Sequence, residues 1–202
     1  MQFDPNHLDG SAIYKLITGA VIPRPIGWVS SISTEGIGNL APFSFFNVIS
    51  EDPPHLMFSC ARTGDRNKDT LNNILANKQF VVNMVTEETV EKMNLTAQLV
   101  PHDVDEFELA GLTPVPSVKI KPARVGESLI HFECELVHHY FIEGHSNGGA
   151  VLLVGRIVMM HFDDSVLLDG HKINLDNYKP VSRLAGANYA TLGELFTIKR
   201  PV

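Results

Sequence analysis

Short apolar runs separated by polar turns dominate the chain and predict a mainly β protein. The clearest alternation of apolar and polar side chains runs through residues 128–141, with the period of two that is typical of a half-buried antiparallel strand. Its apolar face carries Ile130, Phe132, Cys134 and Leu136, and its polar face carries His131, Glu133 and Glu135. The other predicted strands are 26–33 with a return through Asn39 and Leu40, then 43–49, 56–60, 80–85 and the almost wholly apolar 150–160.

Two helices are predicted between these strands. The first spans about 68–77, where the apolar residues fall on one helical face and the asparagines on the other. The apolar set is Leu71, Ile74 and Leu75, and the outward set is Asn72, Asn73 and Asn77. The second helix begins near Thr86, a suitable N-cap, with Glu87 and Glu88 in its first turn.

Few helices among many short strands favour a closed or split β-barrel. The proline-containing segment 101–122 indicates an extended surface connection. The chain has neither an internal repeat nor a long linker, so we expect residues 1–202 to form a single domain.

Composition narrows the class of protein. The chain has 202 residues, 44% of them hydrophobic, and a formal net charge of −7, which excludes disordered, collagen-like and coiled-coil classes and argues against a nucleic-acid partner. No apolar run reaches the roughly eighteen residues that a membrane span requires, and residues 1–10 lack the features of a signal peptide. Because its only cysteines, Cys60 and Cys134, form no CxxC pair, we expect a reduced, cytoplasmic protein.

The common catalytic motifs are missing from the sequence. It contains no GxGxxG, P-loop, GxSxG or HExxH motif, so it names no catalytic residue. Nine histidines leave a metal site open, and the densest group is His138, His139 and His145. Adjacent strand residues point to opposite faces, so surface or hydrogen-bonded histidines are the favoured interpretation and no metal ligand is assigned.

Polar residues in the first half of the chain are more informative. Hydroxyls and amides occur at Ser30, Ser31 and along 39–44, and Ser59 and Arg62 precede Lys68 and Thr70 at a predicted helix start. Hydroxyls, cations and a helix N-terminus are what a phosphate group requires. The alternative is that these residues form turns, caps and solvated charges.

The order and spacing of these segments resemble the flavin reductase-like family of FMN-binding split barrels, in particular flavoredoxin and the reductase components of two-component monooxygenases. The resemblance extends over nearly the whole chain. It rests on residues 24–31, 39–47, 52–54, 58–59, 68–70, Asn73, 80–83, 155–158, 180–184 and 189–190.

The resemblance implies a six-stranded antiparallel Greek-key split β-barrel with a few flanking helices, and a homodimer with FMN near its interface. It also implies roles for twelve residues in binding the cofactor. The ribityl chain and ring would contact Ser30, Ser31, Asn39, Ala41, Pro42, Phe43 and Ser44; the phosphate would contact Ser59, Arg62, Lys68 and Thr70. Trp28 would shape the pocket wall or pack in the core.

The activity that the resemblance implies is that of an FMN-dependent oxidoreductase, in which NADH or NADPH reduces the flavin and no protein nucleophile is required. Reduced flavin or its electrons would then pass to a partner monooxygenase or electron-transfer protein. Two alternatives are an FMN electron carrier reduced by a protein donor and a non-redox binding module. Many reductases of the family carry Gly-Asp-His, whereas here Gly144-His145 lacks the aspartate, which favours the carrier slightly; Ala185-Gly186 also replaces an expected glycine pair.

Overall fold

The structure of the protein is a computed structural model, and it describes residues 1–64, 66–144 and 148–201. These residues form five α-helices and fourteen strands. The helices are α1 (Gly10–Ala20), α2 (Asp69–Asn77), α3 (Val90–Leu95), α4 (Glu106–Leu109) and α5 (Leu175–Tyr178). The strands are β1 (Arg24–Pro25), β2 (Gly27–Ile32), β3 (Gly38–Phe43), β4 (Phe46–Glu51), β5 (Pro54–Ala61), β6 (Gln79–Met84), β7 (Pro114–Val115), β8 (Arg124–Val125), β9 (Ile130–Ile142), β10 (Ala150–Phe162), β11 (Leu167–Leu168), β12 (Lys172–Ile173), β13 (Ser182–Arg183) and β14 (Tyr189–Ala190).

Seven antiparallel strands form the largest sheet, in the order β3-β2-β6-β9-β10-β5-β4. Its two edges, β3 and β4, are consecutive in the chain and are separated only by Ser44 and Phe45. Three Cα steps span at most about 11 Å, so the two edges must lie close together and the sheet must curl. The result is an open, curled sheet. The mainly β prediction is confirmed, but the count of six strands is not.

Aromatic side chains fill the main core. Phe58 lies 4.7 Å from Phe43 and 5.5 Å from Phe80 between ring centroids, and the buried faces of β5, β6 and β10 surround these rings. The apolar face of α2, with Leu71 and Ile74, packs on the same cluster. The predicted helix over 68–77 is therefore confirmed, and its buried face attaches it to the sheet.

A second core covers the opposite face of β2 and β3. Trp28 and Leu40 are fully buried there against Met93 of α3 and Phe107 of α4. Burial on both faces explains why β2 reads as a continuous run of apolar and small residues rather than an alternating one.

The predicted helix start at Thr86 is wrong. Thr86 forms an isolated β-bridge with Pro180, which keeps the backbone extended there, and α3 begins only at Val90. Its N-cap is Thr89, and Glu91, rather than Glu87 or Glu88, lies in its first turn.

Two further expectations need correction, and one helix was not predicted. Residues 43–49 do not form one strand, because Ser44 and Phe45 separate β3 from β4. The segment 101–122 contains α4, which is capped by the Asp105 side chain and buries Phe107. The helix α1, whose N-cap is Asp9, was not predicted.

The predicted polar face of 128–141 is also more buried than its pattern indicates. Glu133 is completely buried, because the segment before β8 lies over it and the backbone N–H groups of Val118 and Lys119 each donate to its carboxylate at 2.7 Å. His161 donates to the same carboxylate at 2.7 Å if its Nε2 carries the proton. The sequence pattern correctly placed Glu133 on the polar face of the strand, but it did not show that the segment before β8 covers that face.

Candidate functional site

A cavity of about 620 Å³ lies between the start of α2, the strand β3 and the segment that follows α3. Five of the twelve residues selected from the sequence line it, and they come from two separate parts of the chain. These residues are Asn39, Ala41, Pro42, Lys68 and Thr70. Its volume falls within the range of small-molecule sites, about 300–1,000 Å³.

The positive end of α2 faces this cavity. Lys68 is the N-cap residue, and among the described residues no side chain caps the helix there. The Lys68 ammonium lies 5.6 Å from the centroid of the Phe43 ring, so the aromatic face holds the cation near β3. A lysine beside the open N–H groups of a helix forms an environment that favours an anion.

A buried hydrogen-bond network fixes the wall of the cavity. The Thr70 hydroxyl donates to Asn39 Oδ1 at 2.7 Å, and the Ser31 hydroxyl donates to the same oxygen at 3.1 Å. Asn73 Nδ2 in turn donates to the Ser31 hydroxyl at 3.2 Å. The expectation that Asn73 points outward is therefore wrong, because this amide joins α2 to β2.

Glu106 completes the network from the other side. Its carboxylate accepts hydrogen bonds from Asn39 Nδ2 at 3.1 and 3.0 Å and from the Leu40 N–H at 3.0 Å. Burial raises the pKa of Glu106, although the hydrogen bonds from Leu40 and Asn39 oppose that change. Glu106 also lines the cavity, so a carboxyl group lies beside the polar edge of β3.

Trp28 and Ser30 lie on the opposite face of β2 from the cavity. Trp28 is fully buried and its Nε1 donates to the Thr96 hydroxyl at 2.9 Å, so it reaches the cavity only through Thr96, which lines it. The Ser30 hydroxyl donates to the Ala123 carbonyl at 2.5 Å. The structure thus gives both residues contacts within the second core.

The other selected residues do not line the cavity. Arg62 Nε donates to Asn67 Oδ1 at 2.9 Å, and Asn67 is a lining residue. The Ser44 hydroxyl accepts from Arg24 Nε at 3.4 Å at the junction of β3 and β4. Ser59 lies on β5, and its N–H donates to the Phe45 carbonyl at 2.8 Å.

Both cysteines are free and buried. Burial raises the pKa of Cys60 to about 11, although nearby Lys68 opposes this, and burial also raises the pKa of Cys134. Neither thiol has the character of a nucleophile at neutral pH. Within the described part of the chain no three His, Cys, Asp or Glu side chains form a candidate metal cluster; His145 lies outside it.

Sequence reasoning missed the side of the cavity that faces β3. Glu106 and the segment after α3 supply it, with lining residues that include Thr96, Gln98 and His102. The one local signal was Asp105, a potential N-cap just before Glu106. Nothing in the local sequence shows that Glu106 contacts a strand more than sixty residues away.

Comparison with known proteins agrees with this geometry. Residues 19–174 match the family described as flavin reductase like domain. The chain belongs to the flavin reductase-like family. An uncharacterized Bacillus subtilis protein, YwrF, is 43% identical to it over 202 residues, with 98% of each chain covered.

Two solved structures are similar over almost their full lengths. Nitrilotriacetate monooxygenase component B from Bacillus cereus is 38% identical, with a TM-score of 0.94 and 98% of each chain covered. The 2-nitrobenzoate 2-nitroreductase NbaA of Pseudomonas fluorescens is 33% identical, with a TM-score of 0.89 over 100% of this chain and 96% of that one. A flavin reductase with a split barrel domain from Shewanella frigidimarina, 21% identical, shares this fold with a TM-score of 0.84 over 100% of both chains, so the fold of this chain is that of a split-barrel flavin reductase-like protein.

One expectation is not addressed by this geometry. The departure at Gly144-His145 falls partly on residues 145–147, which lie outside the described residues. No helix in the described part of the chain is both long and apolar enough to span a membrane.

Proposed function

We propose that this protein is an FMN-binding oxidoreductase of the NAD(P)H:flavin reductase type, which passes electrons as reduced flavin to an acceptor or partner protein. One observation carries the proposal: Lys68, Thr70 and the start of α2 lie at one cavity with the polar edge of β3. A flavin mononucleotide needs such a pairing of an anion site with a wall of small and polar groups. The family membership and the monooxygenase component similar to this chain support the same activity.

The residues present fit the phosphate of FMN. Lys68 supplies a cation, and the start of α2 supplies N–H donors. The Thr70 hydroxyl donates to Asn39, so the main contacts of the phosphate would be the N–H groups at the start of α2 and the Lys68 ammonium. We propose that Arg62 supports this end by orienting Asn67.

The other residues of the site bind and orient the flavin ring. Ala41 and Pro42 are small and lack long side chains, so they leave room for a flat ring against β3. Bound FMN would supply the hydride-accepting chemistry, and the chain would supply position and exclusion of water. The buried Glu106–Asn39 contact holds β3 rigid, so its backbone donors keep their direction when the ring binds.

A homodimer in the reduced environment of the cytoplasm is part of the proposal. Large apolar side chains are exposed at many positions; among them Tyr140 on β9 is 68% exposed, and in the C-terminal segment Phe196 is 83% and Ile198 81% exposed. A second copy of the chain would bury them. The two buried free cysteines agree with a reducing compartment.

An anaerobic absorbance titration tests the proposed function. The purified protein is loaded with FMN, freed of unbound flavin and titrated with NADH and then NADPH while the blue flavin band is followed. Bleaching by either nucleotide supports the reductase. A protein that takes up no FMN would overturn the proposal.

The altered Gly144-His145 segment favours one competing function, an FMN electron carrier reduced by a protein donor. The same titration separates the two. A protein that binds FMN but stays yellow with both nucleotides is the carrier, and addition of a reduced ferredoxin should then bleach it.

A further inference from the structure

A second cavity of about 460 Å³ adjoins the first. The two cavities share the lining residues Asn39, Asp69 and His102, so they are neighbours along one side of α2. The second is bounded by the turn between β2 and β3 and by the outward side of α2. A ligand whose phosphate lies at Lys68 could therefore extend past Asp69 into it.

The chemistry of the second cavity differs from that of the first. Among the described residues that line it, none is lysine or arginine, whereas Glu35 and Asp69 bring two carboxylates. A hydrogen bond from the Thr34 hydroxyl, at 2.8 Å, helps to lower the pKa of Glu35, which therefore stays ionised. Carboxylates accept hydrogen bonds from a ribose diol, as an acidic residue does in dinucleotide sites, but they repel a further phosphate.

Hydrogen bonds connect the two cavities along their rim. Arg62 Nε donates to Asn67 Oδ1 at 2.9 Å, and Asn67 Nδ2 donates to Asn72 Oδ1 at 3.0 Å. Asn67 lines the first cavity and Asn72 the second. The bond from Asn67 orients the Asn72 amide, and the Asn72 nitrogen is a donor for an acceptor such as a purine ring nitrogen. His102 lies exposed at the shared rim, where its ring offers a face on which a base can stack.

We infer that the second cavity binds the adenosine moiety of a dinucleotide whose ribose 2′-hydroxyl is not phosphorylated. This rests on the proposed function, since it takes the first cavity as the phosphate end of the flavin site. Two ligands carry such an adenosine: FAD, in place of FMN, and NADH. Glu35 and Asp69 act as the specificity-determining residues in either case, because they select against a 2′-phosphate and hence against NADPH.

Direct binding tests the inference with two probes. To test NADH as the ligand, ADP-ribose and its 2′-phosphorylated form are titrated into the FMN-loaded protein and binding is measured by calorimetry. To test FAD as the ligand, FAD and FMN are titrated into the apoprotein and binding is measured by quenching of the flavin fluorescence. We expect ADP-ribose to bind at least tenfold more tightly than its 2′-phosphate form, or FAD to bind more tightly than FMN. The first result identifies NADH as the ligand of the second cavity, and the second result identifies FAD.

Charge reversal supplies the matched variants. Glu35 is exposed, so Glu35→Lys should fold, weaken the preference for the unphosphorylated ribose about tenfold and leave FMN binding unchanged. Glu88→Lys makes the same change of charge at an exposed site that lines neither cavity and should alter nothing. The inference is overturned if FMN binds normally but ADP-ribose does not bind and FAD shows no advantage. A wild-type protein that does not bind FMN would instead overturn the proposed function.

Discussion

Asn39 and Glu106 form a two-pronged contact at the edge of the sheet, in which Asn39 Nδ2 donates to both carboxylate oxygens at 3.1 and 3.0 Å. The Leu40 N–H donates to the same carboxylate at 3.0 Å. One side chain of a four-residue helix therefore satisfies two buried donors of β3 and fixes the wall of the candidate flavin cavity.

Removing that carboxylate should cost stability and flavin affinity together. In Glu106→Ala two buried donors lose their acceptor, and we expect the free energy of unfolding to fall by about 2–3 kcal/mol. Urea denaturation measures this change, and flavin fluorescence quenching should show weaker FMN binding. Glu108→Ala, at an exposed position of the same helix, is the control. A Glu106→Ala protein as stable as wild type would contradict the role of this contact.

Lys68 should matter for the phosphate of FMN and not for its ring. We expect Lys68→Ala to weaken FMN binding about tenfold, which corresponds to about 1.4 kcal/mol for one charge-assisted contact. Riboflavin, which lacks the phosphate, should bind the variant and the wild-type protein equally. Lys172→Ala removes an exposed cation that does not line the cavity and should change neither affinity. An equal loss for both flavins would place Lys68 at the ring instead.

How much of this site the sequence could predict depends on the range of the contacts. Lys68 and Thr70 were found because a helix start is a local signal, and Asn39 because the resemblance covers β3. Glu106 was not found, because its role arises only when α4 packs on a strand far away in the sequence. Trp28 and Ser30 sit on the right strand, but strand periodicity alone did not show that β2 is buried on both faces.

The same reasoning explains only some of the errors in the fold. The helix α1 was missed although Asp9, its N-cap, is a local signal, because the prediction from the sequence did not use that signal. The helix expected at Thr86 starts later because Pro180 pairs with Thr86. At Thr86, therefore, a tertiary contact decided the outcome against a local pattern.

Gly155 should tolerate no side chain. A Cβ atom at this position of β10 would lie 2.4 Å from Phe80 Cζ and 3.1 Å from Cys134 Cβ, both inside the main core. We expect Gly155→Ala to lower the free energy of unfolding by about 1–3 kcal/mol, the usual cost of overpacking. Gly193→Ala, where nothing lies within 4 Å, should leave thermal and urea unfolding unchanged. Equal stability of the two variants would mean that the Phe80 ring moves aside freely.

The C-terminal segment should hold two copies of the chain together. Phe196 and Ile198 are large, apolar and mostly exposed, so their burial is the main gain that a second copy offers there. We expect the wild-type protein to sediment as a dimer and Phe196→Asp/Ile198→Asp to shift it toward monomer. Thr197→Asp adds a charge to the same segment without removing an apolar side chain and should remain dimeric. A wild-type monomer at micromolar concentration would refute the homodimer.

His131 should make the stability of the protein depend on pH. It is 6% exposed, and burial, with the nearby charges of Arg124 and His161, lowers its pKa from 6.5 to about 4, against the opposing effects of the Ser128 carbonyl and Glu133. Its Nδ1 lies 2.9 Å from Asn83 Oδ1, which also accepts from the Val125 N–H, while Asn83 Nδ2 donates to the Trp28 carbonyl. Asn83 thus presents an acceptor, and the neutral ring donates to it through Nδ1–H.

The sign of the dependence follows from proton binding. Between pH 6.5 and 4 the unfolded chain takes up a proton on His131 that the folded chain does not, so stability falls as the pH falls through this window, by roughly 2–3 kcal/mol in total. His131→Gln cannot titrate, so its free energy of unfolding should vary less with pH over the same window, whatever its stability at pH 7. The exposed His7→Gln should keep the wild-type slope. A His131→Gln protein with the wild-type slope, or an imidazole that titrates near 6.5 by NMR, would show that the ring is hydrated in the folded protein.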